Sequence, residues 1–194
     1  MDTPYTFGFV PFQTLSKGDW SLSAFDVSED EASFHNLRCD INRRYSQRIS
    51  PGRYMQLKHK RRGIVMSNTP MEVRTNREAY CKAKGRVLIN GLGLGMLLDG
   101  ILRKPEVESV RVIELDPDVI ALVGPRFADN PKCEIIQADA FQYSPAKGEV
   151  FDYVWHDIWD DISAQNLDQM KTLVRRYRKP RALAQGVWSR DLVS

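Results

Sequence analysis

The run Val87-Leu88-Ile89-Asn90-Gly91-Leu92-Gly93-Leu94-Gly95 constrains the fold more than any other part of the chain. An apolar stretch of strand length passes directly into glycines at alternate positions, and Met96–Arg103 then reads as a helix. Glycines without Cβ atoms let a backbone turn sharply and lie close to another group, while the first amides of the following helix have no partner within it. Such strand–loop–helix units belong to open parallel sheets, in which ligands bind at the carboxyl ends of the strands where the strand order reverses.

The chain after Gly85 carries this pattern on. Strands are expected at Arg86–Asn90, Ser109–Leu115, Glu134–Ala138, Phe151–His156 and Arg181–Val187. Between them, Asp116-Pro117 caps and opens a helix to about Phe127, and Leu167, Met170, Leu173, Val174 and Tyr177 mark the apolar face of another. Right-handed crossovers then predict an α/β fold with a Rossmann-like parallel sheet of order 3-2-1-4-5, truncated after the fifth strand.

Residues 1–84 read differently, as a small N-terminal α+β segment that covers the carboxyl ends of the strands of the core formed by residues 85–194. Tyr5–Leu15 and Trp20–Val27 are expected as strands around the Lys17-Gly18-Asp19 turn. Ser28-Glu29-Asp30-Glu31 has the form of a capping box, and Phe34, Leu37, Ile41 and Tyr45 share one face of the helix it opens. Tyr54–Lys58 and Gly63–Ser67 suggest a hairpin around Lys60-Arg61-Arg62. A second box, Thr69-Pro70-Met71-Glu72, opens a helix running to Gly85.

With 42% hydrophobic and 27% charged residues, the 194-residue chain has material for a real core. A net charge of +3 is too small to imply nucleic acid or membrane alone. Cys39, Cys81 and Cys133 lie far apart and read as free thiols. The first ten residues carry an acid where a secretory signal carries a base, so the cytoplasm is the expected compartment.

Glu114 closes the second strand 19 residues after Gly95, where a carboxylate can meet the two hydroxyls of a ribose. A dinucleotide site asks for a small residue at the position of Met96, which disfavours NAD. The spacing Gly91-x-Gly93-x-Gly95 resembles the first motif of class I methyltransferases, and Val112–Ile120 resembles their second. That resemblance implies S-adenosylmethionine as cofactor, with Glu114 on the ribose, Asp139 on the adenine amine, and Asn90, Gly91, Gly93 and Gly95 also binding the cofactor. Many members carry an acid where Asn90 stands.

The stretch Phe151–Asp161 resembles the spermidine synthase branch of the same superfamily, whose fourth strand ends in D-x-x-D; Asp157 and Asp160 fall on those positions. Two carboxylates suit an amine, so Asp157 is expected to orient or deprotonate an acceptor with Asp160 assisting, and Trp155 and Trp159 can wall the site. Unlike those synthases, the chain has Leu94 where they carry an Asp, and it shows no Tyr-His-Glu segment. Methyl transfer to an unidentified small-molecule or macromolecular acceptor leads, aminopropyl transfer from the decarboxylated cofactor is the alternative, and a non-catalytic binding module stays open. No metal site is expected, because neighbours on one strand point to opposite faces; His156 reads as a core histidine. The bases from Arg38 to Arg62 could hold the phosphates of a nucleic acid, but a solvated face is the favoured reading. The basic cluster Lys171, Arg175, Arg176, Arg178 and Lys179 suits a helix C-terminus. The oligomeric state is left open, a dimer included.

Overall fold

The structure, a computed structural model, describes residues 14–161, 163–178 and 181–188. The segment Tyr5–Gln13 of the first expected strand lies outside the described residues.

Two sheets are present among the described residues. The first is antiparallel, in the order β1 (Leu15–Lys17), β2 (Trp20–Val27), β3 (Gly52–His59) and β4 (Gly63–Ser67). Between β2 and β3 runs α1 (Glu29–Ile41). Its capping box forms as expected: the Glu31 amide donates to Ser28 Oγ at 3.2 Å, and the Ser28 amide donates to Glu31 Oε2 at 2.8 Å. Its apolar stripe does not face the core. Phe34, Leu37, Ile41 and Tyr45 are 65, 57, 72 and 60% exposed, and the buried residues of α1 are Ala32 and Cys39.

The helix expected from Thr69 to Gly85 divides into α2 (Pro70–Thr75) and α3 (Arg77–Lys82). The break falls at Asn76, whose fully buried side chain donates to the Glu72 carbonyl at 3.1 Å and so competes with the helical backbone for that acceptor. The second capping box does not form either, since Thr69 makes no side-chain cap bond.

The parallel sheet comprises β5 (Gly85–Asn90), β6 (Val107–Glu114), β7 (Cys133–Gln137), β8 (Phe151–His156) and β9 (Ala182–Val187). Its order β7-β6-β5-β8-β9 is the expected 3-2-1-4-5. The helices α4 (Met96–Leu102), α5 (Pro117–Val123) and α6 (Leu167–Arg176) connect the strands. The helix α5 stops at Val123, and Gly124–Phe127 tightens into a 3-10 turn where Pro125 removes an amide. One face of the sheet (Val87, Ile89, Val110, Val112, Tyr153, Trp155) packs with α4 and α5. Trp20, Leu22, Met55 and Leu57 from the antiparallel sheet enter that same apolar cluster, so the two sheets share one core. On the other face, Leu88, Ile113 and Val154 meet Leu173 and Tyr177.

Candidate functional site

A cavity of about 490 Å³ lies where the antiparallel sheet meets the carboxyl ends of β5, β6 and β8. Gly91, Leu92 and Gly93 form its floor, Glu114–Pro117 and Ala138–Phe141 one wall, and Asp157–Asp160 the other. Trp20, Leu57, Arg62, Val65 and Met66 roof it.

The glycines are needed for close approach. A Cβ on Gly91 (φ 100°) would lie 1.9 Å from the Asp157 carbonyl oxygen, so only glycine lets the loop pass the end of β8. At Gly93 the space belongs to the Met66 thioether, which also accepts the Leu94 amide at 3.3 Å. Gly95 (φ 72°) leaves room for Phe127 and Val123, and Leu94 is wholly buried. The bare loop is thus partly filled by the protein's own atoms.

Glu114 turns into the cavity. Its Oε2 accepts the Leu92 amide at 2.8 Å and its Oε1 the Asp116 amide at 2.9 Å, tying the glycine loop to β6. Burial raises its pKa and these amides lower it. Asp139 also lines the cavity, but its Oδ1 accepts the Phe141 amide at 2.8 Å and its Oδ2 the Gln142 amide nitrogen at 3.1 Å, as in a turn.

Asn90 is a correction. Strand alternation turns its side chain away from the cavity, where it is fully buried and pairs with His156 Nδ1 at 2.8 Å. His156 in turn meets Gln185 Oε1 at 3.2 Å, and burial pulls its pKa down to about 4, so it is a neutral core histidine.

Asp157 stands in the cavity, with its pKa pushed up to about 8 by burial and by the neighbouring Glu72. Glu72 lines the same cavity and is raised to about 7 by burial. The Trp155 indole N–H is buried without a hydrogen-bond partner. Asp160, paired with Asp157 in the sequence pattern, is instead ion-paired with Arg62, whose guanidinium also lies 4.8 Å from the Trp20 ring centroid. Trp159 lines the cavity; Trp155 packs in the core beneath it. Among the described residues no three His, Cys, Asp or Glu side chains group as metal ligands.

Four contributors, Glu72, Trp20, Arg62 and Met66, were not marked by the sequence pattern. Trp20 Nε1 donates to Asp116 Oδ2 at 2.7 Å, a contact no local spacing announces. Of the bases between Arg38 and Arg62, Arg48, Arg53, Arg61 and Arg62 each pair with an aspartate.

Over 97 residues the chain is 33% identical to a polyamine aminopropyltransferase of Pyrobaculum arsenaticum, covering 44% of this chain and 33% of that protein. Over 65 residues it is 40% identical to a protein of Methanococcoides burtonii described as "Probable ribosomal RNA small subunit methyltransferase A", covering 34% and 23%. The core resembles the spermidine-synthase-like branch of the class I S-adenosylmethionine-dependent superfamily. A solved spermidine synthase from Thermotoga maritima overlaps 53% of this chain and 42% of that one, at 22% identity and a TM-score of 0.38, which carries no argument about function. No family model matches the chain. The chain spans about a third of the length of the first two curated relatives it matches.

Proposed function

We propose that the protein is an S-adenosylmethionine-dependent methyltransferase. The observation that carries this reading is the Glu114 carboxylate at the end of β6, inside a cavity floored by the glycine loop. The volume suits an adenosine-sized ligand, and the walls are mainly apolar with a few convergent carboxylates. Glu114 would hold the ribose hydroxyls with the lone pairs its two backbone amides leave free, and Asp139 would meet the adenine amine with its remaining acceptor capacity. A bound S-adenosylmethionine supplies an activated methyl group, so the protein's work is placement of the acceptor and removal of its proton. Asp157 is suited to that proton, because its raised pKa makes it a stronger base than an ordinary aspartate.

Aminopropyl transfer is the second reading, favoured by the relatives named as polyamine aminopropyltransferases. Against it stands Leu94, wholly buried at the position where the spermidine synthases that the chain resembles carry an acid. The acceptor in this reading is a small amine, as the names of those relatives suggest.

Titration calorimetry of the full chain with S-adenosylmethionine, S-adenosylhomocysteine and the decarboxylated cofactor tests both. Binding of the first two, weakened about 10- to 100-fold in Glu114→Ala, is the expected outcome. Preference for the decarboxylated form would move the assignment to aminopropyl transfer, and silence with all three would refute it.

A further inference from the structure

We propose that the outward apolar stripe of α1 is a homodimer seam, on which α1 of a second copy packs antiparallel about a two-fold axis near Leu37. The seam is independent of what the cavity binds.

Phe34, Leu37, Ile41 and Tyr45 follow one another at intervals of three, four and four residues, so they form one row along α1 and the 3-10 turn Tyr45–Gln47. All four are more than half exposed. Single exposed apolar side chains are ordinary, but a contiguous row marks an interaction surface. The helix cannot roll to bury that row, because its other side is already engaged. Ala32 and Cys39 are buried there. Asn36 Nδ2 donates to the Ile49 carbonyl and Asn36 Oδ1 accepts the Ile49 amide, both at 2.9 Å, while His35 Nε2 meets the Gln47 carbonyl oxygen at 2.9 Å.

Charge selects the occupant. The first turn of α1 is acidic, with Glu29, Asp30 and Glu31; its last turn carries Arg38, and Arg43 and Arg44 follow directly. The acid near that end, Asp40, is paired with Arg48 at 3.4 Å. Antiparallel pairing about Leu37 brings Phe34 close to the level of Ile41 of the second copy, and sets Asp30 and Glu31 level with its Arg44 and Arg43. One patch thus meets itself with both ends matched, and the opposed helix dipoles agree. Parallel pairing would set acid on acid, and the same three acids disfavour an anionic lipid surface. The four side chains expose roughly 500 Å² per copy, below the roughly 800 Å² per partner of a standard interface, so a reversible dimer in the micromolar range is expected.

The test is sedimentation velocity of the full chain from about 1 to about 100 µM, where the weight-average mass should rise from one chain towards two. Leu37→Glu combined with Ile41→Glu changes two exposed positions and should keep the chain monomeric over that range with an unchanged circular dichroism spectrum. Two further variants reverse the ends separately, Glu29→Lys with Asp30→Lys, and Arg43→Glu with Arg44→Glu. Each alone should weaken self-association at least about fivefold, and an equimolar mixture of the two should dimerise again. A wild-type chain that stays monomeric at the highest concentration, or a dimer undiminished by Leu37→Glu with Ile41→Glu, overturns the seam. Self-association indifferent to both charge reversals overturns the antiparallel pairing.

Discussion

Single residues at this site are set by which side of the sheet they face. Asp157 and Glu72 hold protons that the unfolded chain releases, since their pKa values rise from ordinary values of 3.8 and 4.5 to about 8 and about 7. The stability they contribute is therefore fully present below about pH 4 and is lost as pH climbs through 7 and 8. His156 runs the other way: its drop from 6.5 to about 4 contributes stability above pH 6.5 that is lost as pH falls through 4. The thermal midpoint should accordingly decline between about pH 6.5, where His156 stops offsetting the loss, and pH 8, by roughly 3–6 °C per pH unit, and level off above. Asp157→Asn should flatten that decline; an unchanged slope in differential scanning calorimetry would contradict the raised values. Glu114 and Asp157 were legible in their placement, because one ends a strand and the other directly follows one at the parity that faces the cavity. Asn90 was misplaced because it stands one step out of that parity, and a strand's alternation gives its neighbours opposite surroundings.

Among the elements, the parallel sheet was the most legible, since buried strands and amphipathic helices differ in period as well as composition. The antiparallel half was less so. In α1 the periodicity marks an apolar stripe, but a period cannot say whether the structure covers that stripe, and here it lies open. With few buried side chains, α1 depends on its termini. Ser28→Ala removes the acceptor for the Glu31 amide and should cost about 1 kcal/mol, measured by urea unfolding of the full chain. A change near zero would mean that the packing of Ala32 and Cys39 and the two Asn36–Ile49 hydrogen bonds hold α1 without its cap. The placement of Glu72 at the cavity was hidden for a related reason: a capping carboxyl and a cavity-facing one use the same third helical position.

At the scale of the whole molecule, the antiparallel sheet and the parallel sheet meet in one apolar cluster, with the cavity between them. A ligand gripping Glu114 would press on both. Saturation with S-adenosylhomocysteine should slow amide exchange in β3 and β4 as well as in the glycine loop, and at about 100 times its Kd should add roughly 2.7 kcal/mol of stability. Protection confined to the loop would mean that the antiparallel sheet does not respond to the site. Among the described residues no helix is long and apolar enough to cross a membrane.

The bonds that seat the roof on the floor join residues far apart along the chain: Trp20 to Asp116 across 96 positions, Arg62 to Asp160 across 98, and Trp188 to Thr75 across 113. Closing such large loops is entropically slow, so the enclosing contacts form after the local hairpins and helices. During synthesis the roof is made first and waits for most of the polypeptide to emerge before it has anything to cover. An enclosed chamber is then among the last things this chain acquires as it folds.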